Sequence, residues 1–202
     1  MKIVVIGASG TIGRAVVDEL ARSGTHQLIC VGHQRGEWQV DITSGESVAA
    51  LFERIGRVDA IISTTGKLFL GPLQEMTTRD FNIGLQDKLL GQVRLALVGQ
   101  HYLNDGGSIT LTTGIAADDP ISQGANAAAV NAGIEGFVQA ASCELSRGLR
   151  INAVSPAVLT ESMPVFGPFF PGFESVPAAR VAMAYRRSVE GVQSGRVFRV
   201  GH

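Results

Sequence analysis

A glycine-rich turn near the start of the chain has the residues and the spacing of a phosphate-binding turn. The apolar run Ile3 to Ile6 leads directly into residues 7–14 (GASGTIGR), and a helical pattern follows. Glycines permit a tight turn and bring backbone N–H groups close to a pyrophosphate, while the helix N-terminus favours negative charge. This context predicts a dinucleotide-binding turn; the alternative is a turn with a structural role only.

Seven short runs, most of them apolar and β-branched, predict the strands that position this turn. Runs that stay apolar instead of alternating are typical of parallel strands covered by helices on both faces. The predicted strands are Ile3 to Ile6, Leu28 to Val31, Trp38 to Val40, Val58 to Ile62, Ser108 to Thr112, Ile151 to Val154 and Val197 to Val200.

Helical patterns separate these strands. They cover Thr11 to Ser23, Ser47 to Ile55, one long stretch from Thr77 to Tyr102, Gln123 to Ser146, and Ala178 to Glu190. The β-α-β order predicts an α/β fold in which residues 1–202 form a single Rossmann-like, doubly wound domain. We expect a mostly parallel sheet of about seven strands with helices on both faces.

Composition limits the class of protein. The 202 residues include 45% hydrophobic residues, and 17 Lys and Arg against 18 Asp and Glu give a net charge of -1. Such a chain is too apolar for disorder and has no field to attract nucleic acid or an acidic membrane surface. No apolar run approaches the roughly 20 residues of a membrane span. We therefore expect a soluble cytoplasmic protein with a small-molecule substrate.

The two cysteines, Cys30 and Cys143, are far apart and lie in apolar stretches. This placement favours two buried free thiols over a disulfide framework or a metal site.

Together with the glycine spacing at Gly7, Gly10 and Gly13, several later motifs resemble the short-chain dehydrogenase/reductase family over essentially the whole chain. The glycines follow the spacing of the family's extended-type variant. Asp41 in Val40-Asp41-Ile42 resembles its adenine-contacting Asp, and residues 63–66 (STTG) stand where the family has Asn-Asn-Ala-Gly. Pro156 matches the proline beside the nicotinamide, and Thr160 matches the hydroxyl near its carboxamide. The resemblance implies a nicotinamide-dependent oxidoreductase.

Charge at the end of the second strand favours NADP over NAD. An NAD site places a carboxylate there to hold the ribose 2′-OH. This chain instead has Gly32-His33-Gln34-Arg35, and Arg14, His33 and Arg35 could contact a 2′-phosphate. Glu37 lies close enough to keep NAD as the alternative, and a solvated loop charge is the alternative role for Arg35. The full predicted cofactor-binding set is Gly7, Ser9, Gly10, Thr11, Ile12, Gly13, Arg14, His33, Arg35, Asp41, Ile42, Ser63, Thr64, Gly66, Pro156 and Thr160.

The chain departs from the family's catalytic pattern. The resemblance places the family's catalytic Tyr at Ala127 and its Lys at Asn131, and neither residue can perform the acid-base chemistry. The only tyrosines, Tyr102 and Tyr185, lie elsewhere and are interpreted as packing residues.

Other residues could replace the missing pair. The family's Ser falls near Thr112, Thr113 and Gly114, with Thr113 the best remaining hydroxyl, and its Asn falls on Lys88. Lys and Asn thus look exchanged between two helices, so Lys88 and Asn131 could enter one pocket from opposite sides. The alternative for Lys88 is a surface lysine on an amphipathic helix. We predict Thr113, Lys88 and Asn131 as the catalytic set.

A Pro- and Gly-rich segment near residues 160–177 carries Phe166, Phe169, Phe170 and Phe173. Exposed phenylalanines in such a loop either dock on the protein body or close over an apolar ligand, and we favour a substrate lid.

Asp118-Asp119-Pro120 could bring a carboxylate over the pocket, although a solvated turn is the favoured interpretation.

Two functions remain open. One is an atypical NADP-dependent oxidoreductase of small carbonyl or alcohol compounds. The other is a dinucleotide-binding sensor or partner-binding protein without catalysis. In both cases the Gly- and Ala-rich stretch Gly124 to Ala141, with the resemblance, predicts a homodimer or homotetramer.

Overall fold

Seven parallel strands form one sheet in a computed structural model that describes residues 1–202. The strands are β1 (Lys2–Ile6), β2 (Gln27–Gly32), β3 (Trp38–Gln39), β4 (Val58–Ser63), β5 (Leu103–Thr112), β6 (Arg150–Pro156) and β7 (Val197–Val200). Their spatial order is β3-β2-β1-β4-β5-β6-β7, and every neighbouring pair is parallel. The order reverses between β1 and β4, as in a doubly wound sheet, so the fold prediction is confirmed.

Helices cover both faces of the sheet. They are α1 (Thr11–Ala21), α2 (Gly45–Ile55), α3 (Thr78–Gly84), α4 (Leu90–Gly99), α5 (Ala125–Glu144), the single turn α6 (Met163–Phe166) and α7 (Ala178–Glu190). Short 3₁₀ turns occupy Ile115–Ala117, Thr160–Ser162 and Gly167–Phe169. None of the helices combines the length and the apolar character needed to cross a bilayer.

Each face of the sheet has its own apolar core, because side chains of a strand point alternately to opposite faces. In β1, Val4 and Ile6 pack with α2, α4 and α5, while Ile3 and Val5 pack with α1 and α7. Burial on both faces explains why Ile3 to Ile6 in β1 form a continuous apolar run.

The predicted long helix from Thr77 to Tyr102 is interrupted. Between α3 and α4, residues Leu85–Leu89 form a π-helical turn. Here Gly84 lies against the side chain of Asn126 in α5, and a Cβ at Gly84 would overlap that amide. The π turn could not be read from apolar periodicity, because the pattern continues through it.

The prediction of two buried thiols is wrong: Cys30 and Cys143 are both free and exposed. Cys30 lies near the edge of the sheet, where only the two-residue strand β3 pairs with β2. Cys143 lies in the last turn of α5, beyond the buried part of that helix.

Both tyrosines are packing residues as predicted: Tyr185 is fully buried, and Tyr102 stacks on Phe52 with ring centroids 5.6 Å apart.

Candidate active site

A groove of about 270 Å³ lies at the carboxyl ends of β1, β2 and β4, where the strand order reverses. Open α/β sheets bind their ligands at this point. Gly7 has a φ of +83°, and a Cβ there would come within 2.7 Å of Thr65 and 2.8 Å of Thr64. A Cβ at Gly13 would overlap the Gly7 carbonyl oxygen, so glycine lets α1 pack on the turn. The local structure therefore has the close backbone approach that a dinucleotide requires.

The groove brings together about half of the predicted cofactor residues. Those lining it are Gly7, Ser9, Gly10, His33, Asp41, Ile42, Thr64 and Gly66. Sequence reasoning did not single out the other lining residues, which are Ile6, Gly32, Val40, Thr65, Lys67 and Asp87. Thr43 donates its backbone N–H and its hydroxyl to Asp41, at 2.9 and 2.6 Å, and these bonds lower the pKa of Asp41. Asp41 is thus ionised at the groove wall.

The remaining predicted cofactor residues lie outside the groove. Thr11 and Arg14 line a separate polar cavity beside α7, and Arg35 is exposed in the β2–β3 loop without lining the groove. Ile12 packs against the α1–α7 core, and Ser63 is fully buried. Thr160 is exposed, with its hydroxyl 3.0 Å from that of Ser175. Phosphate contacts from Arg14 and Arg35 thus have no support from their positions in this structure.

Next to the groove lies a cavity of about 440 Å³ with largely apolar walls. Lys88, Ala127, Asn131 and Pro156 all line it, so the two residues exchanged relative to the resembled family enter one pocket. Gly66 and Lys67 line both the cavity and the groove, and they therefore mark where the two spaces meet. A substrate in the cavity would lie beside a cofactor in the groove.

Lys88 lies in the π-helical turn, and its local structure explains its placement. Single π turns inside helices are frequent at functional sites. The Lys88 side chain runs against Gly66, which has a φ of +126° and where any Cβ would overlap the lysine stem. Glycine at the end of the STTG motif thus gives the lysine its path into the cavity. Lys88 is 7% exposed, which excludes the alternative of a solvated surface lysine.

The amine of Lys88 has one hydrogen-bond acceptor in the protein. Lys88 Nζ donates to the carbonyl oxygen of Thr113 at 3.2 Å. Burial lowers the pKa of Lys88 to about 8, because the charged form loses its hydration. A pKa in this range suits an acid-base group near neutral pH.

Gln92 holds the Lys88 turn to the sheet, and sequence reasoning missed it. Its Nε2 donates to the Thr112 carbonyl at 2.8 Å and to the Lys88 carbonyl at 3.2 Å, while its Oε1 accepts the Thr112 N–H at 2.8 Å. Gln92 is fully buried. A glutamine four residues after Lys88, among apolar helix positions, was the available indication, since a buried amide needs partners.

The hydroxyl of Thr113, which the sequence predicts as part of the catalytic set, does not face the cavity. It donates to the Asn131 carbonyl at 3.0 Å and to Glu135 Oε1 at 3.1 Å, and Thr113 does not line the cavity. The contribution of Thr113 to the site is its backbone carbonyl, which accepts from Lys88. A buried hydroxyl takes the strongest acceptor within reach, and here that is a carboxylate on α5.

Asn131 contributes an unpaired acceptor. Its Nδ2 lies 3.4 Å from the Gly114 carbonyl oxygen, while its Oδ1 is buried without a hydrogen-bond partner. An unpaired buried amide oxygen costs free energy, so it favours a donor from water or a ligand.

Behind the cavity, charged side chains tie the last strand to the site. Arg199 in β7 donates to both oxygens of Asp118 at 2.7 Å and to Glu135 Oε2 at 3.3 Å. His202 Nε2 lies 3.0 Å from the Ser155 carbonyl oxygen. Burial raises the pKa of Glu135, and the Arg199 hydrogen bonds lower the pKa of Asp118. Asp118 is therefore occupied by Arg199 and does not line the cavity.

The Pro- and Gly-rich segment lies at the mouth of the cavity. Phe166 and Phe170 line the cavity, whereas Phe169 does not, and Phe173 packs edge-on against Phe170 with ring centroids 5.5 Å apart. Backbone hydrogen bonds join the two ends of the segment: Thr160 N–H donates to Val176, and Val176 N–H donates to Val158, each at 2.9 Å. The segment is thus a loop with a closed base.

Comparison with known proteins decides the family. A family model described as enoyl-(acyl carrier protein) reductase matches residues 6–193. The chain belongs to the short-chain dehydrogenase/reductase family. This chain is 28% identical over 182 residues to hydroxynaphthalene reductase arp2 of Aspergillus fumigatus, covering 79% of this chain and 67% of that protein. A similar reductase-like protein of Metarhizium brunneum is 27% identical and is covered over 55% of its length. The chain thus spans between about half and two thirds of these relatives.

Solved structures support the same assignment. Protein lin1944 from Listeria innocua is 47% identical, with a TM-score of 0.96 and coverage of 99% of both chains. A small-chain dehydrogenase in complex with NADPH is 28% identical, with a TM-score of 0.87 and coverage of 99% of this chain and 96% of that one. Membership in this oxidoreductase family, with its nicotinamide dinucleotide cofactors, confirms the resemblance drawn from the motifs.

Proposed function

We propose that the protein is an NADP-dependent oxidoreductase of small carbonyl or alcohol compounds, with Lys88 as the proton donor in place of the family's Tyr. The observation that carries the proposal is the Lys88 amine, buried in an apolar cavity that meets the dinucleotide groove at Gly66. Family membership supports the redox chemistry, and the NADPH complex of a 28% identical dehydrogenase supports the cofactor.

The groove fits a dinucleotide through its glycine cradle and through Thr64, Asp41 and His33. When bound, the nicotinamide supplies or accepts the hydride. For NADP, the support is that Gly32 and His33 stand at the end of β2 where an NAD site has a carboxylate, and that Glu37 does not line the groove. His33 is the groove residue placed to contact a 2′-phosphate.

Lys88 would supply the proton in the reductive direction. As hydride adds to the carbonyl carbon, the Lys88 ammonium donates a proton to the carbonyl oxygen, leaving a neutral amine and an alcohol. The Thr113 carbonyl and the Gln92 amide hold the lysine in place, and the unpaired Asn131 Oδ1 could accept from the alcohol hydroxyl or from a water. In this proposal Thr113 is a positioning residue, and Lys88 and Asn131 contact the substrate.

The second candidate is a dinucleotide-binding protein without turnover. It is favoured by Ala127 and Asn131, which stand where the family has Tyr and Lys and leave the usual proton path without a titratable group. Cofactor binding is common to both functions, so turnover must discriminate between them.

The test measures cofactor affinity and turnover on the same samples. We expect NADPH to bind more tightly than NADH in a calorimetric titration, with thermal stabilisation that follows affinity. A panel of aldehydes and ketones should give NADPH oxidation with the wild type. Lys88→Met keeps the length of the stem and removes the proton, so it should lower kcat by about 10²-fold or more without changing the Kd of NADPH.

Arg196→Met is the matched control, because Arg196 is exposed and its side chain makes no ion pair or hydrogen bond. It should leave both Kd and kcat unchanged. No binding of either cofactor, or equal turnover by Lys88→Met and wild type, would sink the enzyme proposal. Binding without turnover on any substrate would favour the second candidate.

The same proposal includes a lid and self-association. The lid is the segment of residues 160–177, with Phe166 and Phe170 closing over the apolar cavity.

Self-association as a dimer or tetramer is supported by family membership and by the exposed apolar side chains of α4, including Leu97 at 52% exposure. Sedimentation equilibrium on the titration samples gives the number of copies.

A further inference from the structure

The charges around the substrate cavity all have one sign. The chain has only three lysines, Lys2, Lys67 and Lys88, and two of them line this cavity. None of its 18 lining residues is Asp, Glu, His or Arg. In a protein with a net charge of -1, this is a local concentration of positive charge against apolar walls.

Lys67 stands at the mouth of the cavity with a free ammonium group. Its backbone N–H donates to Asp87 Oδ1 at 2.7 Å, which anchors the residue at the junction between cavity and groove. Its side chain is exposed and takes part in none of the protein's ion pairs or side-chain hydrogen bonds. An unpaired cation at the rim of an apolar pocket attracts an anion and discriminates against cations.

Lys88 lies inside the cavity and Lys67 lies at its rim, so a ligand could engage both. The reacting oxygen would contact Lys88, an apolar body would fill the space walled by Phe166 and Phe170, and a negative group would remain near Lys67. Inside the cavity a positively charged compound would meet two ammonium groups and no carboxylate, since Asp87 lines only the neighbouring groove; this costs free energy in an apolar site.

We propose that the substrates are apolar carbonyl or alcohol compounds that carry one carboxylate, and that Lys67 determines this specificity. The inference rests on the proposed function for the reaction and on the cavity's charge for the ligand class.

The experiment measures binding, so that it does not depend on turnover. The probes are 4-phenylbutanoate and its neutral isostere 4-phenylbutanamide, titrated calorimetrically with and without NADP⁺. We expect the wild type to bind the carboxylate about two- to fivefold more tightly than the amide, as expected for one exposed ion pair. Lys67→Met should abolish this preference by lowering the affinity for 4-phenylbutanoate and leaving the affinity for the amide unchanged. Lys67→Arg should keep the preference.

Two controls distinguish a direct contact by Lys67 from a change in net charge and from a contact with the cofactor. Arg196→Met removes the same net charge away from the cavity and should preserve the preference. Because Lys67 also lines the groove, the carboxylate preference should be present without NADP⁺; a preference that appears only when NADP⁺ is bound would assign Lys67 to the cofactor and overturn the inference. Equal affinity for carboxylate and amide in the wild type, or no binding of either at millimolar concentration, would also overturn it. Turnover of neutral ketones without any carboxylate preference would remove this inference and leave the proposed function intact.

Discussion

At the scale of single residues, the site depends on one buried amine. Lys88 is held by the Thr113 carbonyl and has no carboxylate partner, so its burial is a cost to the folded state. Active sites often contain such destabilising groups, because catalysis near neutral pH needs a group whose pKa is shifted toward 7. Desolvation thus lowers the pKa of Lys88, and no ion pair offsets this effect.

Lys88→Met should stabilise the protein near pH 7. The folded-state pKa of about 8 lies below the ordinary value of 10.5, so the protonated lysine destabilises the fold at every pH below about 8. Between about 8 and 10.5 the penalty disappears, because the folded state releases its proton first. We expect a gain of about 2–3 kcal/mol in the free energy of unfolding at pH 7, and little gain near pH 10.5.

Urea unfolding at several pH values checks this expectation. Lys67→Met is the control, since Lys67 is exposed and its replacement should change stability by no more than about 0.5 kcal/mol. A gain from Lys88→Met that does not depend on pH would show that Lys88 is not the titrating group.

At the scale of elements, two irregular segments shape the cavity. The π turn Leu85–Leu89 points Lys88 inward, and the loop between β6 and α7 brings Phe166 and Phe170 over it. Phe166 is 42% exposed although it also lines the cavity, so a change in the loop could cover it. The hydrogen bonds at the base of the loop leave its tip free to move while its ends stay fixed.

Chymotrypsin should cleave between residues 163 and 177 more slowly when the cavity is filled. The lid proposal predicts this because closure on NADPH and 4-phenylbutanamide removes the phenylalanines from solvent. Cleavage sites identified by mass spectrometry give the measurement. Trypsin cleavage after Arg147 is the control, since the Arg147–Gly148 turn precedes β6 and lies at its amino end, whereas the loop follows its carboxyl end. Unchanged cleavage of the loop would count against a lid.

At the scale of the whole molecule, the last strand closes the site from behind. Arg199 connects β7 to Asp118 and to Glu135 of α5, and Glu135 in turn accepts from Thr113, whose carbonyl holds Lys88. Glu135 is 8% exposed and would be a buried, unpaired carboxylate without Arg199. The end of the chain therefore contributes to the order of the site.

Arg199→Ala should destabilise the protein by about 1–2 kcal/mol at pH 7, since it leaves one buried carboxylate unpaired and removes a half-exposed ion pair. The loss should shrink below about pH 4. Asp118 has a lowered folded-state pKa, so its stabilisation disappears as it is protonated, and Glu135, whose pKa is raised, is already neutral there.

Thermal unfolding at pH 7 and at a series of pH values from 4 down to about 2.5 measures the difference, with Arg196→Ala as the matched control. Adding Glu135→Gln to Arg199→Ala should restore part of the stability, because it removes the unpaired charge. Equal losses from Arg199→Ala and Arg196→Ala would contradict this role for the network.

The sequence by itself determined the parts of the protein that depend on local patterns. Short runs, most of them apolar and β-branched, predicted all seven strands, and the glycine turn predicted the groove at the end of β1. The family resemblance predicted that Lys88 and Asn131 could enter one pocket. The strands and the turn were predictable because strand burial and glycine turns are set by residues near one another in the chain.

Tertiary structure decided which atoms of those residues face the ligand. Packing against Glu135 turned the Thr113 hydroxyl away from the cavity, the sheet edge exposed Cys30, and the directions of α1 and the β2–β3 loop kept Arg14 and Arg35 out of the groove. The hydrogen bonds of Gln92 to Thr112 and those of Arg199 to Asp118 and Glu135 also join residues far apart in sequence. A hydrogen-bonding side chain takes the best partner in three dimensions, and sequence periodicity carries no information about that partner.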